Sequence, residues 1–302
     1  MKNFIKQLFV GLTILFSIQQ CFSQLKVVTT LPDLKNITEV IGGAQVDVFA
    51  IATGYQNPHF VDPKPSYIIK LSKADVFVTV GLDLETGWVP ALINSARNAK
   101  IQKGGEGYVD ASTNVSLQQV PSSVNRSEGD IHIYGNPHYW LDPLNGKIIA
   151  QNICNTLSKL DAEHRTVFET NLKNFNAKID AKIQEWMQKM QPFKGTKIIA
   201  YHNEWVYFET RFGLQIMDFL EPKPGIPPSP NQLAKVIGEM KRDNLKIIIS
   251  SPYFTTESAE LVARNVNGKV VTFATSVGAN DNVKSYFDLF DYNVNLIVNA
   301  LK

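Results

Sequence analysis

Three histidines sit in stiff, aromatic-rich segments: Asn57-Pro58-His59-Phe60, Asn136-Pro137-His138-Tyr139-Trp140-Leu141-Asp142-Pro143 and Tyr201-His202-Asn203-Glu204-Trp205. The chain has only five histidines. Imidazole is the commonest protein metal ligand, and three brought together make most of a tetrahedral zinc site. Two of the segments repeat Asn-Pro-His. The proline ahead of His59 and of His138 fixes a backbone angle, which holds a ligand in place before an ion arrives. Three neutral nitrogens favour Zn²⁺ over Mn²⁺, a harder ion that prefers carboxylate. Affinity is expected to fall as protons compete for imidazole in the histidine range. Three histidines with an open fourth position would also suit an exported zinc hydrolase, with Glu204 as the nearest general base in sequence. No His-Glu-x-x-His motif supports that alternative.

These segments need elements to position them. Short β-branched runs at 25–30, 46–52 and 75–81 alternate with helix-length stretches, and so do runs at 197–201, 214–220, 245–251 and 269–274. That alternation predicts parallel α/β sheets. Between the two sets, Phe168, Leu172, Phe175, Ile179, Ile183, Trp186 and Met190 recur at spacings of three and four. They form one face of a long amphipathic helix from Asp161, ended by Pro192 and Gly195. A rigid helix between domains would limit hinge motion. The predicted organisation is a signal peptide (1–23), an N-terminal α/β lobe (24–160), a linking helix (161–192) and a C-terminal α/β lobe (193–302). Residues 113–135 read as a polar loop carrying Glu128, Asp130 and His132. The proline-rich stretch 221–230 reads as a rigid connection, either shaping a cleft or simply joining strand to helix.

Lys2 and Lys6 precede a nearly all-apolar run over 8–18, and Cys21-Phe22-Ser23 reads as a cleavage site before Gln24. That is the layout of a secretory signal peptide, and the run is too short to span a bilayer comfortably. The expected location is periplasmic or extracytoplasmic, with a lipid anchor at Cys21 as the alternative. Cleavage would remove Lys2 and Lys6 from 30 basic residues, leaving 28 against 28 acidic ones and no net charge. Such a chain has no electrostatic case for nucleic acid or anionic membrane. Only Cys154 would remain, which excludes an intrachain disulfide. It reads as a small buried hydrophobe on a helix.

Taken together, the motifs resemble those of the cluster A-I solute-binding proteins of ABC importers for zinc and manganese. The resemblance covers essentially the whole mature chain. It is carried by Asn57-Pro58-His59 with Pro63-Lys64-Pro65-Ser66 and Leu71-Ser72-Lys73-Ala74-Asp75. It continues in Pro137-His138-Tyr139-Trp140-Leu141-Asp142-Pro143 and in Tyr201-His202 with Trp205, Tyr207 and Phe208. It ends with Tyr286-Phe287-Asp288-Leu289-Phe290-Asp291-Tyr292-Asn293. It implies two α/β lobes joined by one long helix, with metal in the interlobe cleft. His59, His138 and His202 match the family's three histidine ligands. The family's fourth ligand is a carboxylate after a late strand. Here that region reads Phe273-Ala274-Thr275-Ser276-Val277-Gly278, and neither Thr275 nor Ser276 is a good zinc ligand. Water, Glu221, Glu204 or Asp281 are the alternatives.

Asp142 reads either as an acceptor orienting an imidazole or as a helix cap. His164 is expected to be exposed in the first turn of the long helix. His132 lies where zinc members of the family carry a His- and Asp-rich loop, and it is read as outside the ligand set. The expected function is capture of a divalent metal, zinc ahead of manganese, by a monomer that presents it to an ABC-transporter membrane permease. A zinc hydrolase or a metal-family adhesin are the rival readings.

Overall fold

A computed structural model describes residues 24–122, 132–223 and 225–302. The predicted signal segment with Cys21, the loop residues Glu128 and Asp130, and Pro224 lie outside the described residues. The N-terminal sheet is built from β1 (Leu25–Thr29), β2 (Val46–Ala50), β3 (Val76–Thr79) and β4 (Tyr108–Asp110), in the order β2-β1-β3-β4 and parallel throughout. The C-terminal sheet repeats that plan with β5 (Lys197–Ala200), β6 (Gln215–Phe219), β7 (Ile247–Ser250) and β8 (Lys269–Thr272), ordered β6-β5-β7-β8. In each sheet the strand order reverses beside the first strand. That is where an open parallel sheet leaves a crevice beyond its carboxyl ends. β3 and β7 are buried along their whole length, as central strands covered on both faces should be. β4 is the strand that hydrophobic patterning did not predict. It is three residues long and follows Gly104, Gly105 and Gly107, so it has no run long enough to show a period.

The helices α1 (Pro32–Gly42), α2 (Pro65–Ser72) and α3 (Val89–Ala96) serve the first lobe. Next come α4 (Pro143–Leu160) and the long α5 (Arg165–Met190). The predicted face of α5 is the buried one: Phe168, Leu172, Phe175, Ile179, Ile183, Trp186 and Met190. The helix begins four residues later than predicted, because Asp161 caps a 3-10 turn over Ala162–His164. His164 is not exposed: its Nδ1 lies 2.7 Å from the Asp161 carboxylate in a partly buried turn. The second lobe adds α6 (Val206–Phe212), α7 (Pro230–Arg242), α8 (Thr256–Val266) and the final α9 (Tyr286–Leu301). Among the described residues no helix is long and apolar enough to cross a membrane.

One apolar core runs across the lobe boundary, from Leu34 and Ile37 through Trp140 and Phe175 to Phe273 and Phe290. α9 packs on β8 of its own lobe but also on α1 and α5. The Tyr286 N–H donates to Asn36 Oδ1 at 2.9 Å and its hydroxyl to the Trp140 carbonyl at 2.7 Å. Gly146 in α4 makes room for that ring, since a Cβ there would collide with it. Other bonds stitch the same seam. Asp33 accepts from the Ser276 hydroxyl and the Val277 N–H. Trp140 Nε1 donates to the Thr275 carbonyl at 3.0 Å. Arg211 makes two 2.8 Å bonds to Asp142. Each two-point Arg–carboxylate pair fixes orientation as well as distance.

Candidate metal centre

The two Asn-Pro-His segments fold by one local rule. Asn57 Oδ1 accepts the His59 N–H and Asn136 Oδ1 accepts the His138 N–H, each at 3.0 Å. These are Asx turns, in which a side chain replaces a backbone acceptor two residues back. The asparagine therefore shares with the proline the work of fixing each ligand, a role the sequence reading gave to proline alone. The Pro58 carbonyl accepts from Trp88 Nε1 at 3.0 Å. Tyr139 anchors the His138 segment to the first lobe through the Val80 carbonyl at 2.7 Å, while Trp140 anchors it to the second. His202 follows β5 directly. Glu221 follows β6 and is brought alongside by the ladder, with the Glu221 N–H donating to the Tyr201 carbonyl at 2.9 Å.

The structure brings His59, His138 and His202 together, with one ligand atom from each lying within 4.8 Å of the others. His59 Nε2 and His138 Nε2 are 3.3 Å apart. Two nitrogens each about 2.0–2.1 Å from one tetrahedral ion stand about 3.3 Å apart, so this pair is already at ligand spacing. His202 Nδ1 lies 2.6 Å from Glu221 Oε2, with both side chains 8% exposed. With Nδ1 turned to the carboxylate, Nε2 is the atom left to face a metal. This is the carboxylate–histidine–metal arrangement, in which the carboxylate sets the tautomer and raises ligand basicity.

Burial pushes His59 and His138 well below the ordinary imidazole range, and the neighbouring imidazoles push them further. His132 is lowered to about 4, mainly by burial, with His202 adding to it. His59, His138 and His132 are thus held neutral, the form that coordinates metal. A cavity of about 310 Å³ opens beside His59, His202 and Glu221, walled by Phe60, Tyr253 and Phe254.

The other residues singled out from sequence fall elsewhere. Glu221 touches His202 rather than belonging to the three-residue group. Glu204 is buried and accepts from the Ser251 and Tyr253 hydroxyls, so it is neither the fourth ligand nor a general base facing the site. Asp281 is exposed and outside the group. Asp142 orients no imidazole: its Oδ1 caps α4 at the Leu144 N–H, 2.9 Å away, and the carboxylate pairs with Arg211. Thr275 and Ser276 are spent on the interlobe seam. The Ala274 N–H and carbonyl are both held by the Asn293 side chain. Cys154 is buried beside Ser158. The unexpected neighbour is His132, whose ring centre is 5.0 Å from that of His59. Only the folded chain reveals it, because a lone histidine on a polar loop carries no positional signal.

Residues 27–300 match the family model for ZnuA, the periplasmic component A of the zinc-uptake complex. The metal ABC transporter substrate-binding lipoprotein ScbA of Streptococcus cristatus is 25% identical over 287 residues, which is 92% of this chain and 89% of the relative. The manganese ABC transporter substrate-binding lipoprotein PsaA of Streptococcus mitis is also 25% identical, with the same coverage. Among solved structures, a crystal structure of ZnuA superposes with a TM-score of 0.78 at 26% identity, covering 93% of this chain and all of that one. A manganese-bound periplasmic metal-binding protein of Candidatus Liberibacter asiaticus shares the fold, with a TM-score of 0.77 at 21% identity over 92% of this chain and all of its own.

Proposed function

Because this chain belongs to the ZnuA family of periplasmic zinc-uptake components, we propose that it is the substrate-binding protein of an ABC importer for a divalent metal. It captures the ion between its lobes and presents it to the permease. The ligands in this reading are His59, His138 and His202, and the cargo is Zn²⁺. The observation that carries it is the 3.3 Å approach of two Nε2 atoms within a group of three imidazoles, of which His59 and His138 are held neutral by burial. Relatives named for manganese make that metal the competitor. The donor set supports zinc, because no carboxylate among the described residues stands in the group within 4.8 Å, and Mn²⁺ prefers oxygen ligands. The protein acts as a monomeric carrier outside the cytoplasm. Its chemistry is binding and release rather than catalysis.

The test is competitive titration of the purified protein with Zn²⁺ and Mn²⁺, beside His138→Ala. The reading expects one Zn²⁺ per chain, bound at least 100-fold tighter than Mn²⁺ and lost or greatly weakened in the variant. Tighter binding of Mn²⁺, or zinc binding indifferent to His138, would overturn it.

A further inference from the structure

Three imidazoles leave one corner of a tetrahedron open, and the loop where the family resemblance expects a carboxylate is tied into the interlobe seam by Thr275 and Ser276. A second cavity of about 250 Å³ also borders His59. Its lining includes His59, Asp83, Thr86 and His132. We propose that His132 supplies the fourth nitrogen, making this a four-histidine zinc site; the inference rests on the three-histidine reading above.

The argument is geometric. Four imidazoles arranged tetrahedrally around an ion about 2.0 Å from each nitrogen have ring centres about 5 Å apart. The three ligands of the reading above show 5.2 Å for His59–His138 and 5.7 Å for both His59–His202 and His138–His202. His132 stands 5.0 Å from His59 and 6.4 Å from His138. It is as close to one ligand as the ligands are to each other, and about 1 Å further from the second than tetrahedral packing needs. His132 stands outside the group whose ligand atoms lie within 4.8 Å of one another, so the proposal has its ring move toward the ion when zinc binds.

The second observation is polar. His132 Nε2 is buried and has no hydrogen-bond partner among the described residues. An unpartnered buried nitrogen is costly unless something else occupies its lone pair. The ring also hydrogen-bonds the Leu82 backbone. With Nε2 unpartnered, that bond runs through Nδ1–H to the carbonyl, which fixes the tautomer that leaves Nε2 as the lone-pair atom. Leu82 and Asp83 are consecutive non-glycine residues in the left-handed region, at φ 52° and 63°. Such conformations persist where surrounding structure enforces them, and they cluster at ligand clamps. Here they set the carbonyl that holds His132.

The experiment is zinc K-edge absorption spectroscopy of the zinc-loaded full protein, counting imidazoles, with zinc affinity measured in parallel on wild type, His132→Ala and His132→Gln. The expected result is four imidazoles in wild type and three in both variants. Zinc should remain at one per chain, with affinity reduced at least 10-fold, the least seen on losing a residue that merely supports a ligand. Three imidazoles plus an oxygen in wild type, or unchanged count and affinity in a folded variant, overturns the proposal and leaves the three-histidine carrier standing. Absence of stoichiometric zinc in wild type overturns both.

Discussion

Replacing Glu221 by glutamine tests the electrostatics of the centre without touching a ligand. The Glu221 carboxylate receives the His202 Nδ1 proton at 2.6 Å with both groups 8% exposed. A hydrogen bond to a charged group contributes about 1.5–3 kcal/mol, and low local polarity keeps it near the upper part of that range. When the opposite nitrogen coordinates a dication the imidazole becomes more acidic, so the bond strengthens on binding. The variant keeps an oxygen acceptor of similar reach and loses the charge. About 1.4–2.8 kcal/mol of binding energy should go with it, a 10- to 100-fold weaker affinity for Zn²⁺. Titration against a chromophoric chelator at pH 7.5 reads this directly, with metal per chain as the second readout and apo melting temperature as the control for folding. Affinity within twofold of wild type would refute the orienting role. Loss of stoichiometric zinc would refute it differently, by making Glu221 a ligand.

Further outcomes follow from the buried titratable groups. His59 and His138 are depressed well below 6.5 and His132 to about 4. Proton competition at His59 and His138 should therefore begin below the ordinary histidine range, read as the pH at which zinc affinity falls. The unfolded chain takes up these protons near 6.5 and the folded one does not, so apo stability should drop as pH falls from 6.5 toward the folded values, read by denaturant midpoints. Glu85 has the opposite sign: burial raises it to about 7 although the Val80 and Gly81 N–H groups donate to it at 2.7 and 3.0 Å. Its contribution is lost as pH rises from about 4.5 to 7, so Glu85→Gln should be tolerated or stabilising at pH 8. Glu85→Ala, which orphans two N–H groups, should cost about 2–4 kcal/mol by urea unfolding.

What could be read in advance was whatever left a periodic or local mark. The seven-residue stripe of α5 is periodic, and every member is buried. Strands such as β3 and β7 announce themselves as uninterrupted apolar runs. The Asn-Pro-His repeat marked two of the three clustered histidines, although the asparagine Oδ1 contacts needed coordinates. Asp142 had two roles open to it, and only the placement of Arg211 on α6 decided between them. Glu221 and His202 are 19 residues apart and become neighbours only through the β5–β6 register. His132 is the extreme case, since its proximity to His59 depends on how two loops settle against each other.

The packing of α9 against α1 joins residues some 250 positions apart. A chain delivered from its N-terminus, from a ribosome or through a membrane channel, would reach its final 16-residue helix with Asn36 still unbonded and the groove beside Gly146 still empty. Contacts this distant in sequence carry a large loop-closure cost and slow the search for the native state. The seam between the lobes therefore cannot be completed before α9 has formed. Docking of α9 is thus the step that locks both halves at once.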